Sequence, residues 1–145
     1  MKTYDPKKYV ATFGGVKLNE GIADGTFIGI KRVKSAFSAK TGVDGGHVRS
    51  RQHDRGKILT LTLMQTSEVN DRLSAILNAD RAAINGKGVA AFMLIDLSGT
   101  TRIESAKAYI IDDPDMELGE TATTREWAIM LAEVADPIHG SNPDD

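Results

Sequence analysis

The chain has no cysteine. That removes disulfides, thiolate metal sites and cysteine nucleophiles together. A small secreted scaffold held by disulfides is excluded with them, while the redox compartment stays open. Long hydrophobic runs are missing too. No stretch approaches the roughly 20 apolar residues of a membrane helix. Residues 1–8 carry charges with no apolar run behind them, which is not a signal peptide. The expectation is a soluble protein that stays where it is made. Charge of one sign is also scarce, with a formal net charge of -2. A protein that grips phosphates over its whole surface would be basic.

What is present is an ordinary core-forming composition. Hydrophobic residues make up 41% and charged residues 26% of 145 residues, enough apolar surface to exclude disorder of the whole chain. The length suits one domain. Fourteen glycines beside four prolines predict many turns and many short strands.

Residues 9–13 alternate and end at Gly14-Gly15, a strand and its turn. A short piece covers 16–22. Asp24-Gly25 reads as a hairpin turn into a strand at 26–33. Residues 35–55 lack periodicity and exceed the roughly 12–15 residues usual for an unstructured loop. Asp44-Gly45-Gly46 near their middle suggests a long hairpin that turns there. Residues 57–65 form the cleanest strand, with Leu59, Leu61 and Leu63 on one face and Thr60 and Thr62 on the other.

Thr66 or Ser67 then caps a helix whose first turn suits Glu68 and Asp71. Val69, Leu73, Ile76, Leu77 and Ile84 give its apolar stripe, and Asn85-Gly86 stops it. Residues 89–97, apolar on both faces, predict a central strand covered on both sides. Ser98-Gly99-Thr100 turns it into the alternating 102–111 strand. After Asp112-Asp113-Pro114-Asp115, residues 124–134 form the last strand. Trp127, Ile129 and Leu131 face inward there, and Glu126 and Ala128 outward. Residues 136–145 are polar, acidic and expected to fray.

The fold class expected is mainly β: an antiparallel β-barrel or sandwich with one flanking α-helix. Residues 1–134 form a single domain with a long loop at 35–55, and residues 135–145 an acidic C-terminal tail.

No catalytic constellation emerges, and no cofactor or metal is expected. His47 and His53 lie near Asp44 and Asp54, and His139 stands apart, but no zinc-binding spacing occurs. Solvated loop histidines explain them. Asp112, Asp113 and Asp115 lack the flanking pattern of a calcium loop, and a polar turn explains them. No Gly-x-Ser-x-Gly elbow marks a hydrolase. Gly42-Val43-Asp44-Gly45-Gly46 and Gly86-Lys87-Gly88 do not match a phosphate loop and read as turns. The densest basic run is 49–55, with Arg49, Arg51, His53 and Arg55. It has no interleaved aromatic for base stacking. A solvated loop is one reading; a contact with carboxylates of a protein partner is favoured.

Phe13-Gly14-Gly15-Val16, Ala23-Asp24-Gly25-Thr26-Phe27-Ile28 and the 59–67 run resemble a family of phage structural proteins. Asp96-Leu97-Ser98-Gly99-Thr100-Thr101 and Thr124-Arg125-Glu126-Trp127 continue the likeness, which covers about 9–134. The family is the tail tube proteins of contractile-tailed bacteriophages and their prophage relatives. The resemblance implies a non-enzymatic subunit whose hexameric rings stack into a hollow tube inside a contractile sheath, with DNA passing through the lumen. Expected partners are further copies of the chain, the tail sheath protein, tail terminator and baseplate or initiator proteins, and tape measure protein and DNA held non-specifically in the lumen. No membrane partner is expected. The expected location is the virion tail, after assembly in the host cytoplasm.

Elementary physics points the same way. A small open β-fold leaves edges that a neighbouring copy can pair, and head-to-tail contacts close into rings or extend into filaments. Lys40, Asp44, Arg49, Arg51, His53 and Arg55 are the candidates for inter-subunit contact. Thr60, Thr62 and Glu126 are the candidates for the lumen face, where few cations are expected. The alternatives are a nucleic-acid-binding β module using the 49–55 patch, and a tube subunit of a pyocin or secretion-type injection machine.

Overall fold

A computed structural model describes residues 1–85 and 88–142. After a 3-10 turn at Pro6–Lys8, the chain forms β1 (Tyr9–Phe13), β2 (Val16–Lys17), β3 (Ile28–Arg32), β4 (Phe37–Thr41), β5 (His47–Arg51), β6 (Lys57–Met64), α1 (Val69–Ala82), β7 (Ala90–Asp96), β8 (Arg102–Asp112), β9 (Thr124–Leu131) and β10 (Val134–Ile138). All strand pairing is antiparallel. The fold is mainly β with one helix, as expected. The main sheet runs β2-β1-β7-β8-β9-β6-β3, with β10 added to β8. Its ends do not meet among the described residues, so the arrangement is sandwich-like and not a closed barrel.

Alternation builds the core. Leu59, Leu61 and Leu63 of β6 and Trp127, Ile129 and Leu131 of β9 are buried on one face, and Leu61 sits opposite Trp127 in the register. A continuous apolar face is thus made from two strands about 70 residues apart in sequence, each using every second position. Phe13, Phe92, Leu94 and Ile110 extend it across the sheet, and Val69, Leu73 and Leu77 of α1 join the same cluster. The helix's cap position is Glu68 and not the expected Thr66 or Ser67; Ser67 stands one residue earlier, its hydroxyl accepting from the Val69 N–H at 3.3 Å. The β1–β2 hairpin closes on Gly14 and Gly15, at φ 56° and 83°. This left-handed pair is what a two-residue turn between twisted strands requires.

Five further local expectations need correction. Asp24-Gly25 is not a hairpin turn, because β2 pairs with β1 and β3 with β6, at opposite ends of the sheet. Ile22 bridges Leu63 and Ile28 pairs with Leu61. Residues 23–27 therefore loop out along one edge of β6 without reversing direction. Ile84 is 99% exposed and lies beyond α1, which ends at Ala82, and so leaves the apolar stripe. Gly86 of the expected helix stop, and Lys87 of the second glycine-rich run, lie outside the described residues.

β7 buries one face only, through Phe92, Leu94 and Asp96; Met93 and Ile95 on the other face stay half-buried. The 124–134 strand is two strands, β9 and β10. Finally, the expected frayed tail starts inside β10. Val134 pairs with Ser105, Ala135 with Glu104 and Ile138 with Arg102. Beyond it, the Ser141 N–H donates to the Thr100 hydroxyl at 3.0 Å and the Asn142 amide to Asp96 at 3.1 Å. The 134/135 boundary drawn from composition thus falls within a paired strand; residues 143–145 lie outside the described residues.

Candidate functional site

The 35–55 segment is a hairpin, as its central glycines suggest. β4 and β5 pair from Phe37 opposite Arg51 to Thr41 opposite His47. The turn is held by the Gly42 N–H on the Gly46 carbonyl at 2.7 Å and the Gly46 N–H on the Asp44 carboxylate at 3.1 Å. Gly45, at φ 86°, takes the left-handed position. Bonds from Val33 N–H to the Gly56 carbonyl and from Gln52 N–H to the Ala36 carbonyl bridge the gap to β3 and β6. The hairpin is therefore an outward continuation of the β3–β6 pair, an arm of roughly 30 Å at about 3.3 Å per residue. Every residue of β4 and β5 is exposed.

The expected contact residues divide over this arm. Arg49 and Arg51 lie on one face with Phe37 of the facing strand, their guanidinium carbons 4.4 Å and 5.7 Å from the ring centre. The sequence shows no aromatic within the basic run; the hairpin supplies one from twelve residues before its start. The contact is of the cation–π type and limits where the two guanidinium groups can point. Lys40 pairs with Val48 and belongs to the opposite face of the hairpin. Asp44 is engaged in the turn. His53 and Arg55 sit at the base of the arm, beside a 580 Å³ groove shared with Arg32, Phe37 and Pro137. There Arg55 bonds Asp136 of β10 at 2.8 Å, and Lys34 stands 4.0 Å from Asp54. Both pairs are solvent-exposed and weak.

The lumen candidates sit on the outward face of the β6–β9 pair. Thr62 is directly opposite Glu126, and Thr60 opposite Ala128. Glu126 also belongs to a second feature, which takes in Asp113 and Asp115 of the expected polar turn. Asp113, Pro114, Asp115, Glu117, Thr123, Thr124 and Glu126 line a 390 Å³ groove at the Met64–Thr124 end of the strands. Arg81 reaches its rim from α1, at 2.8 Å from Asp112 and 3.2 Å from Asp113. A hydrogen bond with the Asp112 side chain, a backbone bond and Arg81 hold the Asp113 carboxyl below its ordinary value. Among the described residues no group of three or more His, Asp or Glu gathers as metal ligands would. The run of carboxylates at 112–126 was readable; its closure into one groove depends on the β8–β9 connection folding back, which spacing does not encode.

Charge is split between these two features. Residues 31–57 hold eight Lys and Arg against two Asp, a formal +6, leaving ten against eighteen Asp and Glu elsewhere, a formal −8. The near-zero total hides a strongly polar molecule.

No family model matches the chain. The structural protein ORF10 of Pseudomonas phage KPP10 is 30% identical over 122 residues, covering 84% of this chain and 70% of that protein. Among solved structures, the anti-feeding prophage cap, which is the AFP tube terminating cap, matches with a TM-score of 0.62. That match has 10% identity and spans 99% of this chain and 93% of the other. The sheath/tube terminator of PVC, an extracellular contractile injection system, matches in its extended state with a TM-score of 0.55. Its identity is 12%, over 93% of this chain and 96% of the other. The two structures agree with this one in fold, end to end. The identity to ORF10 and its span carry the relationship in sequence, and the chain belongs to the same family of phage structural proteins as ORF10 of Pseudomonas phage KPP10.

Proposed function

We propose that the protein is a non-enzymatic, ring-forming subunit of a contractile phage tail that terminates the tail tube. The observation that carries this reading is the end-to-end fold match to a tube-terminating cap and to a sheath/tube terminator, joined to membership of a phage structural family. In this role the partners are further copies of the chain, the last ring of the tube and the sheath around it, and the location is the virion tail. DNA passes through the ring without specific contacts. The open sheet, with β2 and β3 at its ends, leaves strand edges that neighbouring copies can cover.

A second reading keeps the chain as the repeating tube subunit, in rings that stack without limit. The projecting arm favours it, since a roughly 30 Å reach spans to an adjacent ring. Negative-stain microscopy and sedimentation of the purified protein at high concentration separate the two. A terminator gives discrete rings that do not elongate; a tube subunit gives filaments. Compact monomer at every concentration, with no rings, would overturn both.

A further inference from the structure

We propose that the basic arm of one copy docks into the acidic groove of a second copy, in a head-to-tail contact that repeats around the ring. This deepens the ring reading above and rests on it.

The arm offers an exposed surface along the whole of β4 and β5. Arg49 and Arg51 stand over Phe37, and among the described residues neither they nor Lys40 forms an ion pair. Val43, in the turn at the arm's tip, is also exposed. The groove offers the complement. Asp115, Glu117 and Glu126 have no cation paired with them among the described residues. Met116 and Leu118, exposed in the same connection, supply apolar surface for Val43 at the arm's tip. Arginine forks bind carboxylates through paired, charge-assisted bonds that strengthen where water is excluded.

Topology makes the contact intermolecular. The arm leaves the Lys57–Leu131 end of the β6–β9 pair, and the groove lies at its Met64–Thr124 end. Seven residue steps put the base of the arm and the groove roughly 23 Å apart, and the Val33–Gly56 backbone bond continues the β3–β6 pairing beyond Lys57, past the end remote from the groove. A contact between two different patches at opposite ends of a molecule is heterologous, and it closes into a ring when the rotation between copies closes. Nucleic acid is the weaker occupant for the arm. Its aromatic ring already carries two guanidinium groups, at 4.4 and 5.7 Å from the ring centre, where a stacked base would compete with them, and the rest of the molecule repels phosphate.

Charge reversal tests the pairing. Three proteins are compared with wild type by sedimentation and negative stain: Arg49→Glu with Arg51→Glu, Asp115→Lys with Glu117→Lys, and the chain carrying all four changes. All sites are exposed, and circular dichroism checks that each variant folds. Each double variant should associate about tenfold more weakly or worse. An equal mixture of the two, and the fourfold variant alone, should recover rings, because each then presents opposite charges at the contact. If arm-reversed protein forms rings as wild type does, or if the fourfold variant fails to recover, the docking is wrong while the ring function stands. Retained self-association with loss of salt-sensitive binding to duplex DNA in the arm-reversed protein would assign the arm to nucleic acid and overturn the proposal. Wild type that never leaves the monomer would overturn the docking and the function together.

Discussion

Trp127 donates its indole N–H to the side-chain oxygen of Asn70 at 2.9 Å. The bond ties the centre of β9 to the first turn of α1. The Asn70 amide nitrogen in turn donates to the carbonyls of Met64, Gln65 and Ser67, at 3.0, 3.4 and 3.1 Å. One side chain thus joins the end of β6, the helix entry and the buried tryptophan.

Removing Asn70 leaves the indole N–H and several carbonyls without their partner. Asn70→Ala is expected to cost about 2–3 kcal/mol, and Trp127→Phe about 1–2 kcal/mol from the lost bond alone. The double variant should cost less than the sum, since the two act on one interaction. Urea denaturation of the four proteins measures this, and strict additivity would show that the bond contributes little.

The arm should be dispensable for folding. Replacing residues 34–55 with a tight Asn-Gly turn joins β3 to β6 directly, at a point where Arg32 already pairs with Lys57. The unfolding free energy should change by less than about 1 kcal/mol, because the residues removed are almost all exposed. An unfolded product would mean that the arm is part of the domain.

The C-terminal segment should matter more than its composition suggests. Ending the chain after Ala132 removes Val134, which is 2% exposed, and uncovers the β8 edge from Arg102 to Ser105. A loss of about 2–3 kcal/mol is expected from the apolar burial alone. An unchanged denaturation midpoint would mean that β10 does not hold in solution.

Tyr9 sets an alkaline limit. Burial first, and the neighbouring Asp96 carboxylate second, raise its phenol above the ordinary 10.0. The unfolded chain then releases this proton at lower pH than the folded one, so stability falls as pH rises. The contribution is full below the unfolded value and is lost as pH climbs through the folded one. Denaturation midpoints measured from about pH 9 to pH 11 should fall less steeply in Tyr9→Phe than in wild type. Parallel curves would remove Tyr9 as a cause.

Local alternation was the most legible signal. Residues 57–65 and 124–131 state their buried faces outright, because a half-buried strand repeats every second residue. The arm hairpin was also readable, since a left-handed turn position needs a residue such as Gly45. Strand order was not. Whether β3 pairs with β2 or with β6 is decided by packing between distant segments, and Asp24-Gly25 suits a bulging loop as well as a hairpin. β10 escaped notice because its Ala135-Asp136-Pro137 stretch has the composition of a tail. Its place is fixed by β8, whose eleven residues accept β10 along one part and β9 along the next. Of the site, Arg49 and Arg51 were found from charge density, but the Phe37 contact and the acidic groove required the three-dimensional register.

The physical separation of arm from core also divides how the sequence can change over time. Substitutions at Leu61 or Trp127 are screened by folding itself, because both side chains are fully enclosed. Substitutions along β4 and β5 meet no such screen. Such a hairpin can lengthen, shorten or reverse its charge in single steps without endangering the domain that carries it. A lineage of such proteins can therefore drift rapidly in what it touches while keeping what it is, and relatives will look most alike in their strands and least alike at this arm.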